Sequence, residues 1–206
     1  MNAHDVCRST AAAALLFLGT GCGLLPPTRP PEPIPVTEDT VLLTVPVVPQ
    51  GDDHECGLAT LATLCGYHGV ALPPDVEARL LAIAEEREGL SGGELRQALR
   101  DLGLEAYLFR GTLGHGDTDL YRHVDLGRPP LVMIASDSDT YHYCLFTGYD
   151  RPAGVVYLYD PRRGHLRMPA AEFEPLWRNA GHFTLCLLYT SPSPRDQRGS
   201  RMPSSA

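Results

Sequence analysis

Four residues of this chain have the types and the order that thiol chemistry requires: Gln50, Cys56, His142 and Asp160. Cys56 leads an apolar run in which Leu58, Leu61, Ala62 and Cys65 recur at helical spacing until Gly69 stops the pattern. A cysteine at a helix N-terminus feels the positive end of the helix dipole, which lowers its pKa and favours the thiolate. Gln50, six residues earlier, is placed to fold back and offer an amide beside that sulfur. A thiolate nucleophile also needs a base, and a group that orients the base. Among the eight histidines, His142 is the best placed. It sits in a strand pattern whose residues 142, 144 and 146 share a face, just after the polar loop 136–139, which would open onto a cleft. Asp160 ends the next strand, and Pro161 stops the ladder there, so antiparallel pairing would bring its carboxylate to the imidazole. Asp150 competes with Asp160 for the orienting role on spacing alone. Against the reactive reading of Cys56 stands a plain one, a small buried hydrophobe opening a core helix.

Helices come first in the segment that must hold these residues. After the Cys56 helix, Pro73-Pro74 opens a second one with Val76, Leu80, Ile83 and Ala84 on one face. In L-S-G-G-E, residues 90–94, Ser91 and Glu94 form a capping box for a third helix through Leu95, Leu99 and Leu102, stopped by Gly103. The same five letters resemble the signature of ABC-transporter ATPases. That reading needs a phosphate-cradling loop with a lysine, and the chain contains no lysine. Strand patterns follow at 105–109, 131–135, 141–149, 155–160, 165–168 and 182–185, with short helices at 120–126 and 170–177. Helices followed by a mostly antiparallel sheet indicate an α+β fold.

Both ends of the chain differ from this core. Arg8, an apolar run at 11–18, small residues and then Gly21-Cys22 describe an export signal ending at a lipidation cysteine, so residues 1–22 read as a lipoprotein-type signal with Cys22 the first mature residue. Six prolines in 26–35 favour extended polyproline II, which makes 23–40 a tether and starts the folded domain at Val41. This predicts an exported protein, lipid-anchored to a bacterial cell-envelope membrane. Residues 186–206 read as the translation of a DNA sequencing adapter, with Gln197 to Gly199 in the place of a variable index. They fall outside fold reasoning, and the folded domain is expected to span 41–185, truncated at its C-terminal side. Setting aside Cys7, Cys22 and Cys186 leaves Cys56, Cys65 and Cys144, too few for a disulfide framework. No C-x-x-C is present, which removes the usual pattern of a structural metal site. A formal charge of −8 and no basic stripe argue against a nucleic-acid partner.

Gln-x5-Cys-Gly, then an H-Y-x-x-x-x-G-Y-D strand, then a strand ending in D-P about eighteen residues after the histidine, resembles the C39 cysteine peptidases over residues 45–173. The resemblance implies a papain-like fold, Cys56 as nucleophile, His142 as general base and acid, Asp160 as the orienting residue and Gln50 completing the oxyanion hole with the Cys56 backbone N–H. It implies a peptide or protein substrate and neither metal nor organic cofactor. The transporter-fused members cleave leader peptides after a Gly-Gly pair, a specificity not carried over to this chain. Two other readings compete: a cell-wall hydrolase of the NlpC/P60 type, which would lack Gln50 and the D-P strand end, and a catalytically idle module that grips a peptide.

Overall fold

The computed structural model describes residues 35–135 and 140–189. The expected signal peptide, the lipidation residue Cys22, most of the tether, the loop 136–139 and residues 190–206 lie outside the described residues.

The chain opens with β1 (Val41–Leu42), a 3-10 turn (Asp53–Glu55) and three helices, α1 (Cys56–Tyr67), α2 (Pro74–Arg87) and α3 (Gly92–Asp101). It continues through β2 (Glu105–Arg110), α4 (Leu120–Asp125), β3 (Leu131–Ala135), β4 (Tyr141–Asp150), β5 (Val155–Asp160), β6 (Gly164–Pro169), α5 (Ala170–Asn179) and β7 (Phe183–Tyr189). The strands form one sheet in the order β2-β7-β3-β4-β5-β6, every named pair antiparallel, with β1 also paired to β4. This is the α+β arrangement expected from the sequence.

Local chemistry explains the boundaries. Pro74 stands at the first position of α2, where its missing N–H costs nothing. The Ser91 hydroxyl accepts from the Glu94 N–H while the Glu94 carboxylate accepts from the Ser91 N–H at 2.7 Å, the reciprocal capping box expected at the start of α3. Gly103 and Gly127, both with positive φ, follow α3 and α4 and let the chain turn out of each helix.

The sheet separates two cores, because successive strand residues face opposite ways. Tyr143, Leu145 and Tyr159 pack with Leu61, Leu64, Leu80 and Leu99 from α1, α2 and α3. Cys144, Phe146 and Leu158 pack with Tyr121, Phe173 and Trp177 from α4 and α5. Each fully buried leucine contributes about 1.5–3 kcal/mol.

Two boundaries differ from expectation. β7 continues to Tyr189, because its backbone pairs with β2 as far as Glu105 and because Cys186 and Leu187 are buried, so the folded unit runs beyond residue 185. At the other end, residues 35–40 dock on the domain instead of standing off as tether. The Thr37 hydroxyl donates to Asp150 at 2.6 Å, and the Tyr157 hydroxyl donates to the Pro35 carbonyl at 3.1 Å. β1 then takes the edge of β4 at Gly148 and Tyr149. A Cβ at Gly148 would collide with the Val41 carbonyl, so only glycine permits this approach.

Candidate active site

Strand parity separates the candidate residues before the end of the sheet reunites them. His142 and Asp160 share the parity of Cys144 and Leu158, hence the α4/α5 face, whereas α1, which Cys56 opens, packs on the other. The β4–β5 ladder pairs residues up to Leu145 and Tyr159, and Pro161 follows Asp160. Beyond that point the β5-side edge of β4 is filled by the N-terminal turn of α1. The Thr60 hydroxyl lies 2.7 Å from the Cys56 carbonyl and 3.2 Å from the Tyr143 carbonyl. The backbone N–H groups of Tyr143 and Gly57 are directed to the Cys56 sulfur. Through this opening Cys56 and His142 reach the same cleft, close enough to act on each other's ionisation.

Asp160 stands behind the histidine. Its Oδ1 lies 2.9 Å from His142 Nε2, which leaves the other ring nitrogen free of Asp160. The carboxylate is 1% exposed and heavily supplied with donors. Oδ1 accepts from the Arg162 N–H at 2.8 Å and the Arg163 N–H at 3.2 Å, and Oδ2 accepts from Arg163 Nε at 2.7 Å. Asp150, the rival on spacing, is occupied at the far end of β4 by Thr37, Thr40 and the Ala153 N–H. Tertiary structure therefore chooses Asp160.

The electrostatics follow from these contacts. Burial pushes the Cys56 thiol up, but hydrogen bonds from His142 and the Tyr143 backbone, with the imidazolium charge, hold it below its ordinary value. Burial likewise disfavours a charged His142, yet hydrogen bonds to Asp160, Cys144 and Cys56 push it up to about 12. Asp160 is held well below the usual carboxylate range, its burial outweighed by His142 and Arg163. The other described cysteines go the opposite way, for burial raises Cys65 to about 11, Cys186 to about 12, and Cys144 above its ordinary value. All four are free thiols. Among them Cys56 alone is shifted toward the thiolate.

Gln50 is anchored next to this turn, with its backbone N–H on the Pro161 carbonyl at 3.1 Å and its side-chain nitrogen on the Asp52 carbonyl at 2.8 Å. Its side-chain oxygen is buried without a partner. Cys56 and His142 line a cleft of about 1240 Å³ that also takes in Leu90, Gly92, Tyr141 and Phe183. Small-molecule pockets hold roughly 300–1,000 Å³, so this one has room for an extended chain. Gly92 is needed there, because a Cβ would drive into the Phe183 ring.

Two neighbours of the site were not singled out by sequence reasoning. Cys144 shares the face of His142, and its sulfur lies within 4.8 Å of the donor atoms of both His142 and Asp160. Arg163 grips Asp160 from a loop. The shared parity of 142 and 144 pointed to the first; nothing in spacing pointed to the second.

The sequence profile of the Peptidase C39 family matches residues 44–186. The transport/processing ATP-binding protein ComA of Streptococcus pneumoniae is 27% identical over 149 residues, which cover 71% of this chain and 18% of that protein. Among solved structures, a C39-like peptidase from Bacillus anthracis is 21% identical with a TM-score of 0.57, over 75% of this chain and 100% of the other. The peptidase domain of Streptococcus ComA, a bifunctional ABC transporter, is 22% identical with a TM-score of 0.54, covering 68% and 96%. A double glycine motif protease from an AMS/PCAT transporter, solved with its leader peptide, is 24% identical with a TM-score of 0.51, covering 70% and 91%. The chain therefore belongs to the Peptidase C39 family and is a cysteine-type peptidase of papain-like, α+β fold.

Proposed function

We propose that this peptidase hydrolyses peptide bonds by acyl transfer through Cys56, His142 and Asp160, with Gln50 as an oxyanion donor. The observation that supports the reading is the hydrogen bond of Asp160 Oδ1 to His142 Nε2 at 2.9 Å, at the cleft that Cys56 and His142 both line. The sulfur of the charged pair attacks the carbonyl carbon, and the carbonyl electrons move onto oxygen. That oxyanion is received by the Cys56 backbone N–H at the mouth of α1 and by Gln50. Asp52 takes one of the two Gln50 amide hydrogens, and the second serves the oxyanion. His142 gives its proton to the leaving amine as the C–N bond breaks. It then accepts a proton from the water that attacks the thioester, and returns it to Cys56.

The substrate proposed is an extended peptide or protein segment. The size of the cleft supports this, as does the leader peptide bound to the AMS/PCAT transporter protease. Labelling with an iodoacetamide probe tests the nucleophile. Wild type is expected to label at Cys56 below neutral pH, and Cys56→Ala and His142→Ala to lose that labelling. Equal labelling of Cys65 or Cys144 sinks the reading, as does His142→Ala labelling at the wild-type rate. We also propose that the protein is exported and lipid-anchored through Cys22, on the strength of the sequence pattern at 8–22. Palmitate incorporation that survives Cys22→Ala removes that part.

A further inference from the structure

Two consecutive arginines follow the D-P at the end of β5, and they point in different directions. The Arg162 guanidinium pairs with Asp53 in the turn that precedes Cys56. Arg163 turns back on Asp160, with Nε on Oδ2 at 2.7 Å and its own backbone N–H on Oδ1 at 3.2 Å. The two carboxylate oxygens are thus divided. Oδ1 meets His142 Nε2 and two backbone N–H groups, while the side-chain contact on Oδ2 comes from Arg163. A carboxylate held at one oxygen can still swing about its Cβ–Cγ bond, whereas one held at both has its plane fixed. A carboxylate 1% exposed is also held in its ionised form by a fixed positive charge beside it. Arg163, itself about half exposed and at the edge of the cleft, supplies that charge.

We propose that Arg163 is a positioning residue of the peptidase site: by clamping Oδ2 of Asp160 it fixes the plane that aims Oδ1 at His142, and so the angle at which the imidazole meets Cys56. The proposal rests on the triad read above. The titratable groups facing the His142–Asp160 pair are Cys56 from α1, Cys144 from β4, Tyr159 from β5 and Arg163 from the following loop, with the Arg162 N–H beside it. Among them Arg163 carries the permanent cation. Removing a positive charge here destabilises the thiolate and stabilises the imidazolium, so both titration steps move to higher pH.

The test measures the rate of Cys56 alkylation by iodoacetamide against pH, and the His142 imidazole titration by NMR, in the full chain. Arg163→Gln is expected to move the Cys56 step up by about one pH unit, a roughly tenfold loss of alkylation on the acid limb, with the His142 step moving in the same direction. Arg163→Lys keeps the charge but not the planar fork, and should fall between Arg163→Gln and wild type. Arg79→Gln, which breaks an exposed pair with Asp101 far from the site, should leave both curves unchanged. Wild-type curves in Arg163→Gln overturn the proposal, even where the variant is less stable, because the role would then be structural only. If Arg163→Gln does not fold, Arg163→Lys decides, and a wild-type profile in it overturns the proposal. Failure of the triad itself is separate, for it shows in His142→Ala before any arginine is changed.

Discussion

At the scale of single residues, the reactivity of Cys56 is a balance between burial and hydrogen bonding. The four described thiols sit in surroundings whose burial raises their pKa, and only at Cys56 do the imidazole and backbone donors outweigh that effect. Without the histidine, burial should push its pKa up. His142→Ala should therefore slow alkylation on the acid side, read as a rate–pH curve displaced to higher pH. Asp160→Asn removes the charge that, in the proposed mechanism, orients His142. Turnover should fall about 10²–10⁴-fold, the range general acid–base catalysis contributes, measured on any peptide the wild type cleaves. The same substitution carries a stability signature. The folded-state pKa of Asp160 lies below its unfolded value of about 3.9. Its ionisation therefore stabilises the fold above that unfolded value, and this contribution is lost as pH falls through the lower folded value. Urea titrations in acid should show a shallower loss of stability for Asp160→Asn than for wild type. An equal slope in both proteins would show that Asp160 is not the group responsible.

At the scale of elements, the site exists because one ladder stops early. β4 and β5 pair up to Leu145 and Tyr159, and the opening beyond admits the first turn of α1 against the Tyr143 backbone. The walls of the cleft depend on similar local devices. The Ser91–Glu94 capping box starts α3 where Leu90 and Gly92 line the cleft. Ser91→Ala should cost about 0.5–2 kcal/mol, read from urea unfolding, and a shift within error would mean that Glu94 alone holds the turn. At the opposite end of β4, Gly148→Val should displace β1 and the docked segment 35–40. Overpacking of this kind costs about 1–3 kcal/mol, and limited proteolysis before Val45 should accelerate. Unchanged cleavage there would show that β1 does not need the close approach.

At the scale of the whole molecule, a sheet with a helical layer on each face holds the cysteine on one side and the histidine and aspartate on the other, and they meet at its end. Much of this architecture was legible in the sequence. The helical periodicity after Cys56, the S-x-x-E of the capping box, the apolar run 131–135 and the Asp160-Pro161 stop reappear as α1, α3, β3 and the end of β5. These features are local: periodicity, caps and proline act over a few residues, so the chain records them directly. The reach of the ends was less legible. The tether expected up to residue 40 gives way to docked contacts from residue 35, and β7 runs past 185, since edge pairing depends on backbone groups whatever side chains they carry. The choice of partner was legible least of all. The strand end at Asp160-Pro161 favoured Asp160, but spacing did not exclude Asp150, and Arg163 was one arginine among many. Chain order determined that a cysteine stands at a helix mouth, with a histidine and an aspartate on later strands. Only the tertiary structure decided that Asp160 faces His142 while Asp150 anchors the N-terminal segment, because strand register and the point where a ladder ends are properties of pairs of segments, which no single segment encodes.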